Sequence, residues 1–443
     1  MRADVLVLEV GSTITKATAF RAEGGALVRA GQALAATSLA TGDVCAGVDE
    51  AVADLGRRGI RTAGAEVFVT SSAAGGLRMT VHGLTTGMTA RAAREAALNA
   101  GGIVEFVTAG PLGGDDVDRI RRAAPNLVIL AGGVDHGERD IVVANARHLA
   151  GLGGRIPIIF AGNIAARAEV HRVLSVAGAA VSVADNIFPD VDVLALEPVR
   201  RIVQEEFNRH IVTAPGLSGL AARTSHPVVP TPSAVLRAAE IFADVAGDCL
   251  VVDVGGATTD VHSVTEGTVY WAGRGAEPYP RTRRTVDGDL GVFVNAPAVA
   301  TLAGGDLPDR LGELAPFATA DGQRDTVARL RSVAVDTAVR RHAAVVTDVI
   351  GPGGGRRSVR GGTDLTAVRW VLGTGGALTR VPGGAATLRG ICRGAGANLL
   401  PEPDATALLD AEYRLSALGV VAQADAEAVR ETLRRWAVGH CGR

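Results

Sequence analysis

One stretch in the second half of the chain, Leu250 to Val264, constrains the fold more than any other. Its sequence is LVVDVGGATTDVHSV. The opening apolar run predicts a buried strand, and a carboxylate, Asp253, follows at the exit of that strand. The next turn has no side chain larger than a methyl group: Gly255, Gly256 and Ala257. Backbone N–H groups in such a turn can close on a phosphate.

The residues after the turn extend this chemistry. They supply two hydroxyls and a second carboxylate before a returning strand: Thr258, Thr259 and Asp260. A carboxylate, a glycine turn and hydroxyls together can hold a nucleotide phosphate with its magnesium ion. The segment therefore predicts a hairpin that binds a nucleotide phosphate.

The N-terminus carries a second copy of this arrangement, VLVLEVGSTITKATAF. When the two copies are aligned on their glycines, three positions coincide: Glu9 with Asp253, Gly11 with Gly255 and Thr15 with Thr259. A third apolar segment follows each hairpin, residues 26–34 in one copy and residues 268–272 in the other. Two copies about 240 residues apart predict a pseudo-symmetric protein with a nucleotide between its halves.

The length and composition are those of a globular chain with large cores. A chain of 443 residues is long enough for two or three domains. A proline-containing loop over residues 224–232 and a helical pattern over residues 233–245 precede the central hairpin. We therefore place a boundary near residue 245. Residues 1–245 then form one domain with the first hairpin, and residues 246–443 form a second domain.

Charge, hydropathy and cysteine spacing exclude several classes of protein. A net charge of −2 gives no basic field for nucleic acid, and no apolar run reaches the roughly 18 residues of a membrane span. The N-terminus lacks the pattern of a signal peptide, so we expect the cytoplasm. Four scattered cysteines predict neither a disulfide framework nor a metal site: Cys45, Cys249, Cys392 and Cys441.

The chain contains a single lysine, Lys16, which lies inside the N-terminal hairpin. All the other basic residues are arginines, which indicates a coding bias that removes lysine wherever arginine can serve. A compact ammonium acts as a point charge on phosphate where a planar guanidinium does not fit. A phosphate-binding role and chance survival of this lysine are both open.

A third glycine turn, GTGG at residues 373–376, follows a predicted strand over residues 369–372 and precedes a helical pattern. The backbone of such a turn can lie against a purine base and its ribose. Another glycine turn, GGVDHG at residues 132–137, follows the first strand of a predicted βαβ unit over residues 126–162. It stands at a strand's carboxyl end, where open α/β sheets place ligands, although a packing role is equally compatible.

Four other stretches have predicted structures that bear on the fold. Residues 281–291, RTRRTVDGDLG, are compatible with a segment that faces the cleft, although we expect a solvated loop. We expect residues 324–349 to be one long helix. The glycine-rich residues 351–362 predict a mobile loop. Residues 403–436 predict two helices that pack on the second domain.

The order of hairpin, hairpin and glycine turn resembles the phosphate-1, phosphate-2 and adenosine motifs of the actin, heat-shock-chaperone and sugar-kinase ATPase superfamily. More narrowly, VVDVGGATTDVHSV and VLGTGGAL resemble the accessory protein family of coenzyme-B12-dependent glutamate (methylaspartate) mutase. This family is called MutL and is unrelated to the mismatch-repair protein of that name. VLEVGSTITK, FVTSSAAGGLRM, LVILAGGVDHG, TVDGDLG and GGTDLTAVRWVLGTGG also fit it, so the resemblance covers nearly the whole chain.

The resemblance implies an α/β fold of the actin-like, ribonuclease H-like type, with two pseudo-symmetric domains around a nucleotide cleft. It implies ATP and Mg²⁺ as cofactors and the subunits of a coenzyme-B12-dependent mutase as partners. The implied function is that of a chaperone-like reactivating factor. Such a factor uses ATP binding and hydrolysis to exchange damaged cobalamin in the mutase.

The resemblance also implies roles for individual positions. Asp253, Asp260 and Glu9 would be catalytic, and either Asp260 or Asp253 would orient the attacking water. Asp253 and Glu9 would hold Mg²⁺ largely through water. The nucleotide-binding positions would be Gly11, Ser12, Thr13, Thr15, Lys16, Gly255, Gly256, Ala257, Thr258, Thr259, Gly373, Thr374, Gly375 and Gly376. The superfamily usually has Asp where this chain has Glu9, so we expect slow hydrolysis, which suits a switch.

Other functions are compatible with the same motifs. One is a small-molecule kinase or an ATP-dependent amidohydrolase of the hydantoinase and oxoprolinase type. A second is the iron–sulfur ATPase activator of hydroxyacyl-CoA dehydratases, which the scattered cysteines disfavour. A third is a non-hydrolysing filament or assembly protein, and the last is a packed α/β protein without a nucleotide.

Overall fold

The computed structural model describes residues 1–37, 43–73, 77–191, 193–213, 217–274, 279–304, 311, 314, 321–350 and 356–440. The chain forms two compact units. Met1–Ala73 and Ala214–Arg443 make up the first, here called the hairpin unit, and Ala74–Thr213 make up the second, here called the inserted unit. In the described part of the chain, no helix is both long enough and apolar enough to cross a membrane.

The hairpin unit begins with three antiparallel strands whose apolar residues are largely buried. The elements of this first part are β1 (Val5–Val10), β2 (Ile14–Glu23), β3 (Ala26–Ala36), α1 (Cys45–Arg57) and β4 (Glu66–Ser71). Strand β1 is buried at every position: β2 and β4 pair with its two edges, and Val5 and Val7 belong to an apolar core.

The inserted unit alternates strands and helices. Its elements are β5 (Arg78–Gly83), α2 (Arg91–Asn99), β6 (Ile103–Ala109), α3 (Gly114–Ala123), β7 (Leu127–Leu130), α4 (Asp140–Ala150), β8 (Ile158–Phe160), α5 (Arg167–Val176), β9 (Val181–Val183) and α6 (Glu197–Thr213). The strands pair in the order β6-β5-β7-β8-β9, and every pair is parallel. The short apolar runs of β7 and β8 are fully buried, as is typical of a parallel sheet covered on both faces.

The chain then returns to the hairpin unit. The remaining elements are α7 (Ser218–Ala221), β10 (Val229–Pro230), α8 (Thr231–Ala246), β11 (Cys249–Val254), β12 (Thr259–Val264), α9 (Val269–Ala272), β13 (Thr282–Asp287), α10 (Ala296–Leu302), α11 (Asp321–His342), β14 (Val345–Ile350), β15 (Arg356–Gly361), β16 (Trp370–Thr374), α12 (Gly376–Thr379), α13 (Gly384–Gly390), β17 (Thr406–Leu409), α14 (Arg414–Val421) and α15 (Ala426–Val438).

The two large sheets of the hairpin unit repeat one topology. Their strand orders are β3-β2-β1-β4-β10 and β13-β12-β11-β16-β17. In each sheet, the first three strands in chain order pair antiparallel. The fourth strand pairs in parallel with the first, and the fifth pairs in parallel with the fourth. This duplicated mixed sheet confirms the predicted α/β, actin-like (ribonuclease H-like) fold with two pseudo-symmetric halves.

A shared core joins the two sheets. The helices α8, α14 and α15 contribute buried apolar side chains to it, among them Phe242, Leu418 and Trp436. Val7 from the first sheet and Val251 from the second belong to the same cluster. Glu9 and Asp253 lie two residues further along β1 and β11, so by strand alternation they face the same side as these two valines. The sheets therefore bring the first carboxylate of each hairpin to one end of this core.

Several predicted elements are wrong, and the third strand of the second sheet is the most informative. The apolar segment at residues 268–272 contains the exposed helix α9, whereas its counterpart at residues 26–34 lies in strand β3. The third strand is β13, inside the stretch predicted to be a solvated loop. Its arginines are buried because they find buried partners. Arg283 donates to the His342 carbonyl, and Arg284 pairs with Asp260.

Other differences lie near the C-terminus and in the inserted unit. The predicted long helix ends at His342, and β14 follows it. Residues 356–361 of the predicted mobile loop form β15, which pairs with β14, whereas residues 351–355 lie outside the described residues. Strand β17 precedes the two predicted C-terminal helices, and β5 occupies a stretch without a predicted strand.

Both hairpin sheets belong to the hairpin unit, on either side of residue 245 in the chain. The division into residues 1–245 and 246–443 describes the internal repeat, and it stays a prediction.

Candidate functional site

The two hairpins share the backbone hydrogen bond that closes the turn and the register of their strands. Gly11 N–H donates to the Ile14 carbonyl at 3.0 Å, and Gly255 N–H donates to the Thr258 carbonyl at 2.9 Å. The strand register also coincides. Glu9 lies opposite Lys16 in the first hairpin, and Asp253 lies opposite Asp260 in the second. The alignment made on the glycines therefore holds in three dimensions.

The two turns approach each other within the hairpin unit. A Cβ built on Gly256 would lie 3.9 Å from Thr13 Cγ2. The carbonyls of the second turn are engaged from the segment after β13: Phe293 N–H and Val294 N–H donate to the Gly256 carbonyl, and Asn295 Nδ2 donates to the Ala257 carbonyl at 2.7 Å. These contacts hold the turn from its carbonyl side.

The N–H groups of the turns are left available. Five backbone N–H groups of the turns donate no hydrogen bond to any described residue: those of Ser12, Thr13, Gly256, Ala257 and Thr258. Neighbouring N–H groups without internal partners form an anion-binding concavity, especially when two turns face each other. The arrangement therefore suits a chain of phosphates between the turns.

Asp253 is the most perturbed carboxylate of the site. Among the described residues, no hydrogen bond or ion pair engages it. Burial, together with the charges of Asp260, Glu9 and Asp410 and against the opposing charge of Lys16, raises the pKa of Asp253 to about 7. The Asp253 residue is nevertheless partly accessible to solvent. It therefore lies in an enclosed cleft and not in a sealed core. An unpaired carboxylate among other acids is placed to receive a cation.

These residues fit a magnesium ion that also binds phosphates. In the part of the chain that the structure describes, no group of three or more His, Cys, Asp or Glu residues could hold a metal ion by itself. Mg²⁺ usually keeps several waters and binds through one or two carboxylates together with substrate phosphates. Asp253 would supply the carboxylate, and the bound ion would neutralise charge on the phosphates.

Glu9 is already engaged from two sides. One carboxylate oxygen pairs with Lys16 Nζ, and the other accepts a hydrogen bond from Ser416 Oγ at 2.6 Å. Burial alone would lower the pKa of Lys16, but Glu9, Tyr413 and Asp253 raise it above its ordinary value, so the ammonium is charged. Its Nζ lies 4.2 Å from the centre of the Tyr413 ring. Direct metal binding by Glu9 would require breaking one of these contacts, and its assigned role stays a prediction.

Asp260 is held in a buried ion pair. Arg284 Nε donates to Asp260 Oδ1 at 2.8 Å, and Arg284 Nη2 contacts the same oxygen. Thr258 Oγ1 donates to the other oxygen at 3.1 Å. These contacts occupy both carboxylate oxygens of Asp260, whereas no described residue contacts the carboxylate oxygens of Asp253 through a hydrogen bond or ion pair. Of the two carboxylates predicted to orient water, the geometry favours Asp253.

The third glycine turn lies directly beside the second hairpin. Gly375 has φ +86°, and a Cβ there would lie 2.4 Å from the Val254 carbonyl oxygen and 2.6 Å from Asp253 Oδ1. Only glycine fits this position. Thr379 Oγ1 lies 2.8 Å from the Gly375 carbonyl oxygen and 2.9 Å from the Tyr413 hydroxyl. The turn at residues 373–376 is thereby tied to the ring that lies under Lys16.

Sequence reasoning missed four residues around the site: Arg284, Asp410, Tyr413 and Ser416. Asp410 accepts backbone N–H groups at the start of α14, and burial raises its pKa to about 6. The sequence around Asp410, Tyr413 and Ser416 matches none of the quoted motifs. A signal for Arg284 existed because it directly precedes TVDGDLG, one of the quoted motifs.

The raised pKa of Asp253 predicts that binding of Mg²⁺ and ATP strengthens as the pH rises through about 7. The proton competes with the cation, so affinity should fall up to about 10-fold per pH unit below the pKa. The ligand-free protein should show the opposite trend. Its stability should fall as the pH rises from 3.8, the ordinary pKa of an aspartate, to about 7, the pKa of Asp253 in the folded protein, because the folded state binds the proton more tightly than the unfolded state. Calorimetric titration and thermal melts on wild type and Asp253→Asn test both trends, and equal pH profiles would contradict this assignment.

Comparison with known proteins identifies the family. A family model described as MutL protein matches residues 5–437. The chain belongs to the MutL protein family. Protein MutL of Clostridium tetanomorphum is 33% identical over 448 residues, which cover 94% of this chain and 96% of that protein. The family predicted from the motifs is thereby confirmed.

Solved structures show weaker likeness to this MutL family member. Nucleotide-free acetone carboxylase, described with ATP-dependent acetone carboxylation, aligns with 13% identity and a TM-score of 0.32 over 99% of this chain and 60% of its own. The PilM–PilN complex of type IV pilus biogenesis aligns with 15% identity and a TM-score of 0.27 over 99% of both chains. Scores this low carry no argument, so the fold assignment depends on the strand order of the sheets.

Proposed function

We propose that this protein binds and slowly hydrolyses ATP and that it reactivates a coenzyme-B12-dependent mutase, glutamate (methylaspartate) mutase in the first instance. Reactivation would consist of exchanging damaged cobalamin for intact coenzyme. One observation carries the ATP part of the proposal: the unpaired, enclosed carboxylate of Asp253 beside two facing turns whose N–H groups are available. Membership in the MutL family supports the mutase part.

The residues of the hairpin unit suggest how a nucleotide would be held. The N–H groups of the two turns would bind the phosphates, and Lys16 would add a positive charge from the first hairpin. Asp253 would hold the cation and, directly or through water, orient the nucleophile. The turn at residues 373–376 would lie against adenosine. The terminal phosphate would bridge two turns on different sheets, so its presence or absence could bias two conformations of the unit.

The test uses the full chain and a coenzyme-B12-dependent mutase loaded with inactive hydroxocobalamin. After incubation with ATP and Mg²⁺, cobalamin in the filtrate is measured by absorbance, and mutase activity is measured after adding adenosylcobalamin. We expect cobalamin release and recovered activity with ATP, and neither without ATP or with Asp253→Asn. Glutamate mutase is tested first because the family resemblance names it.

One result would overturn the reactivation proposal: ATP is hydrolysed, but cobalamin stays bound in every mutase tested. A small-molecule enzyme would then be favoured, and phosphate release that depends on an added substrate would identify it. Absence of nucleotide binding would overturn the ATP part as well.

A further inference from the structure

The sheet of the inserted unit has a topological switch point. Counted within this unit, its strand order is 2-1-3-4-5, the order of flavodoxin-like doubly wound sheets. Strand β5 lies between β6 and β7, so the chain leaves it in one direction and returns to its other side. In such sheets, ligands bind outside the carboxyl ends of the strands that flank the switch. The ends of β5 and β7 are therefore the place to look for a second site.

The loops that follow these two strands touch each other. A Cβ built on Gly132, after β7, would lie 3.9 Å from Leu84 Cβ, after β5. The chain after Leu84 continues into a π-helical turn, Thr86–Ala90. Such turns occur often at functional sites. The two loops thus form one continuous rim at the switch point.

Two buried asparagines hold the loop after β7 in place. Asn163, which is 0% exposed, accepts the His136 N–H at 3.0 Å and donates to the carbonyls of Gly137 and Glu138. Asn186, which is 3% exposed, donates to the Gly133 carbonyl at 3.0 Å and to Asp135 Oδ1 at 2.9 Å. These amides come from the chain after β8 and after β9. Side chains after two neighbouring strands therefore fix the loop that follows β7.

The residue presented by this loop is His136. Its φ of 62° is left-handed, a conformation that non-glycine residues adopt only when surrounding contacts impose it. The residue is exposed, and among the described residues no hydrogen bond, ion pair or ring contact involves its imidazole. The loop is held by Asn163 and Asn186, and its backbone is strained at His136. It thus exposes one unpartnered imidazole beside the switch point.

The chemistry of a lone imidazole selects the class of ligand. Neutral imidazole is the commonest protein ligand of transition metals, but a bare ion needs several ligands. The described residues contain no group of three or more His, Cys, Asp or Glu that could hold one. A metal already held in a macrocycle needs only one axial ligand from the protein. A cobalt corrinoid meets this condition, and it is the cargo in the proposed function.

We infer that the inserted unit binds a cobalt corrinoid at the carboxyl ends of β5 and β7, with an imidazole nitrogen of His136 as an axial ligand to cobalt. This inference rests on the proposed function and adds a receiving site for the released cofactor. The step is a ligand exchange. The nitrogen lone pair forms a bond to cobalt, the bound water leaves, and the oxidation state of cobalt does not change.

The experiment titrates the full chain into aquocobinamide, a corrinoid without its own nucleotide base, and follows the visible spectrum. Replacement of water by imidazole should shift the absorption bands, and the titration yields a dissociation constant. His136→Asn tolerates the left-handed backbone and removes the ring. It should abolish the shift and weaken binding by more than about 10-fold. His171→Asn is the matched control, because His171 is an exposed histidine on α5 of the same unit.

The outcomes separate this inference from the proposed function. A wild-type chain that gives no spectral shift, or a shift that His136→Asn retains, overturns the inference. An equal loss in His171→Asn also overturns it, because binding would then not be specific to the loop. If the inference fails while ATP-dependent cobalamin release from the mutase persists, the proposed function stands. If corrinoid binds through His136 but no mutase releases cobalamin, the proposed function fails and the site remains.

Discussion

Replacing Asp253 with asparagine is expected to lower the rate of ATP hydrolysis by about 100-fold or more, the usual contribution of a group that transfers or positions a proton. The carboxylate is the only one of the three predicted catalytic acids without a hydrogen bond or ion pair among the described residues. The amide keeps its shape but can neither hold a cation by charge nor accept a proton. Phosphate release under saturating Mg²⁺ and ATP measures the effect.

Two features make this result decisive. Asp253→Asn removes a charge that repels Asp260 and Glu9, so the variant should melt no lower than wild type, and lost activity will not reflect unfolding. Asp248→Asn is the matched control: Asp248 directly precedes β11 and accepts a hydrogen bond from Thr265 Oγ1 at 2.6 Å. It should retain hydrolysis. Wild-type hydrolysis in Asp253→Asn would show that another group carries the reaction.

Replacing Arg284 with methionine is expected to lower the free energy of unfolding of the hairpin unit by about 3–5 kcal/mol, the usual loss when one partner of a buried ion pair is removed. Arg284 is 2% exposed, and its guanidinium neutralises Asp260. Methionine fills the space of the stem but leaves the Asp260 charge uncompensated. The three tryptophans, Trp271, Trp370 and Trp436, all lie in the hairpin unit, so their fluorescence during urea unfolding reports this unit.

The neighbouring Arg281 provides a control for this substitution. It pairs with Asp244 at 3.2 Å, and both side chains are 40% exposed. Arg281→Met should therefore cost less than about 1 kcal/mol. Adding Asp260→Asn to Arg284→Met should recover part of the stability, because the uncompensated charge disappears. A loss in Arg284→Met as small as in Arg281→Met would contradict the buried ion pair.

The two hairpins share a geometry but differ in charge. The cross-strand pair is Glu9 with Lys16 in the first hairpin, and it is Asp253 with Asp260 in the second. The first pair neutralises itself within the hairpin, whereas the second needs Arg284 from the third strand for one of its two charges. Among the described residues, one carboxylate of the second hairpin, Asp253, therefore has no partner. This asymmetry explains why a cation would bind nearer to Asp253 than to Glu9.

The C-terminal helix α14 connects the two halves of the site. Ser416 on this helix donates to Glu9 of the first hairpin, and Asp410 caps its start. Tyr413, one residue before it, contacts both Lys16 and Thr379. If nucleotide binding changes the contacts of Lys16, the position of Tyr413 at the beginning of α14 would therefore change as well. The helix also contributes to the core between the two sheets.

The sequence by itself determined the local chemistry of the hairpins. Glycines, hydroxyls and carboxylates recur at matching positions, and an apolar run before each turn predicts its strand, so the duplicated hairpin and the family followed from short-range patterns. The glycine turns needed no long-range information, because a turn without bulky side chains is a local property.

The tertiary structure alone decided which charges are paired. Strand β13 has the polar sequence TRRTVD and was predicted to be a solvated loop, because burial of an arginine is favourable only beside a partner that the sequence does not place there. Likewise, Ser416 is 407 positions from Glu9 but donates to its carboxylate. Periodicity and composition reveal which residues can react, whereas the packing of distant elements decides which of them has no hydrogen bond or ion pair, as is true of the Asp253 side chain among the described residues.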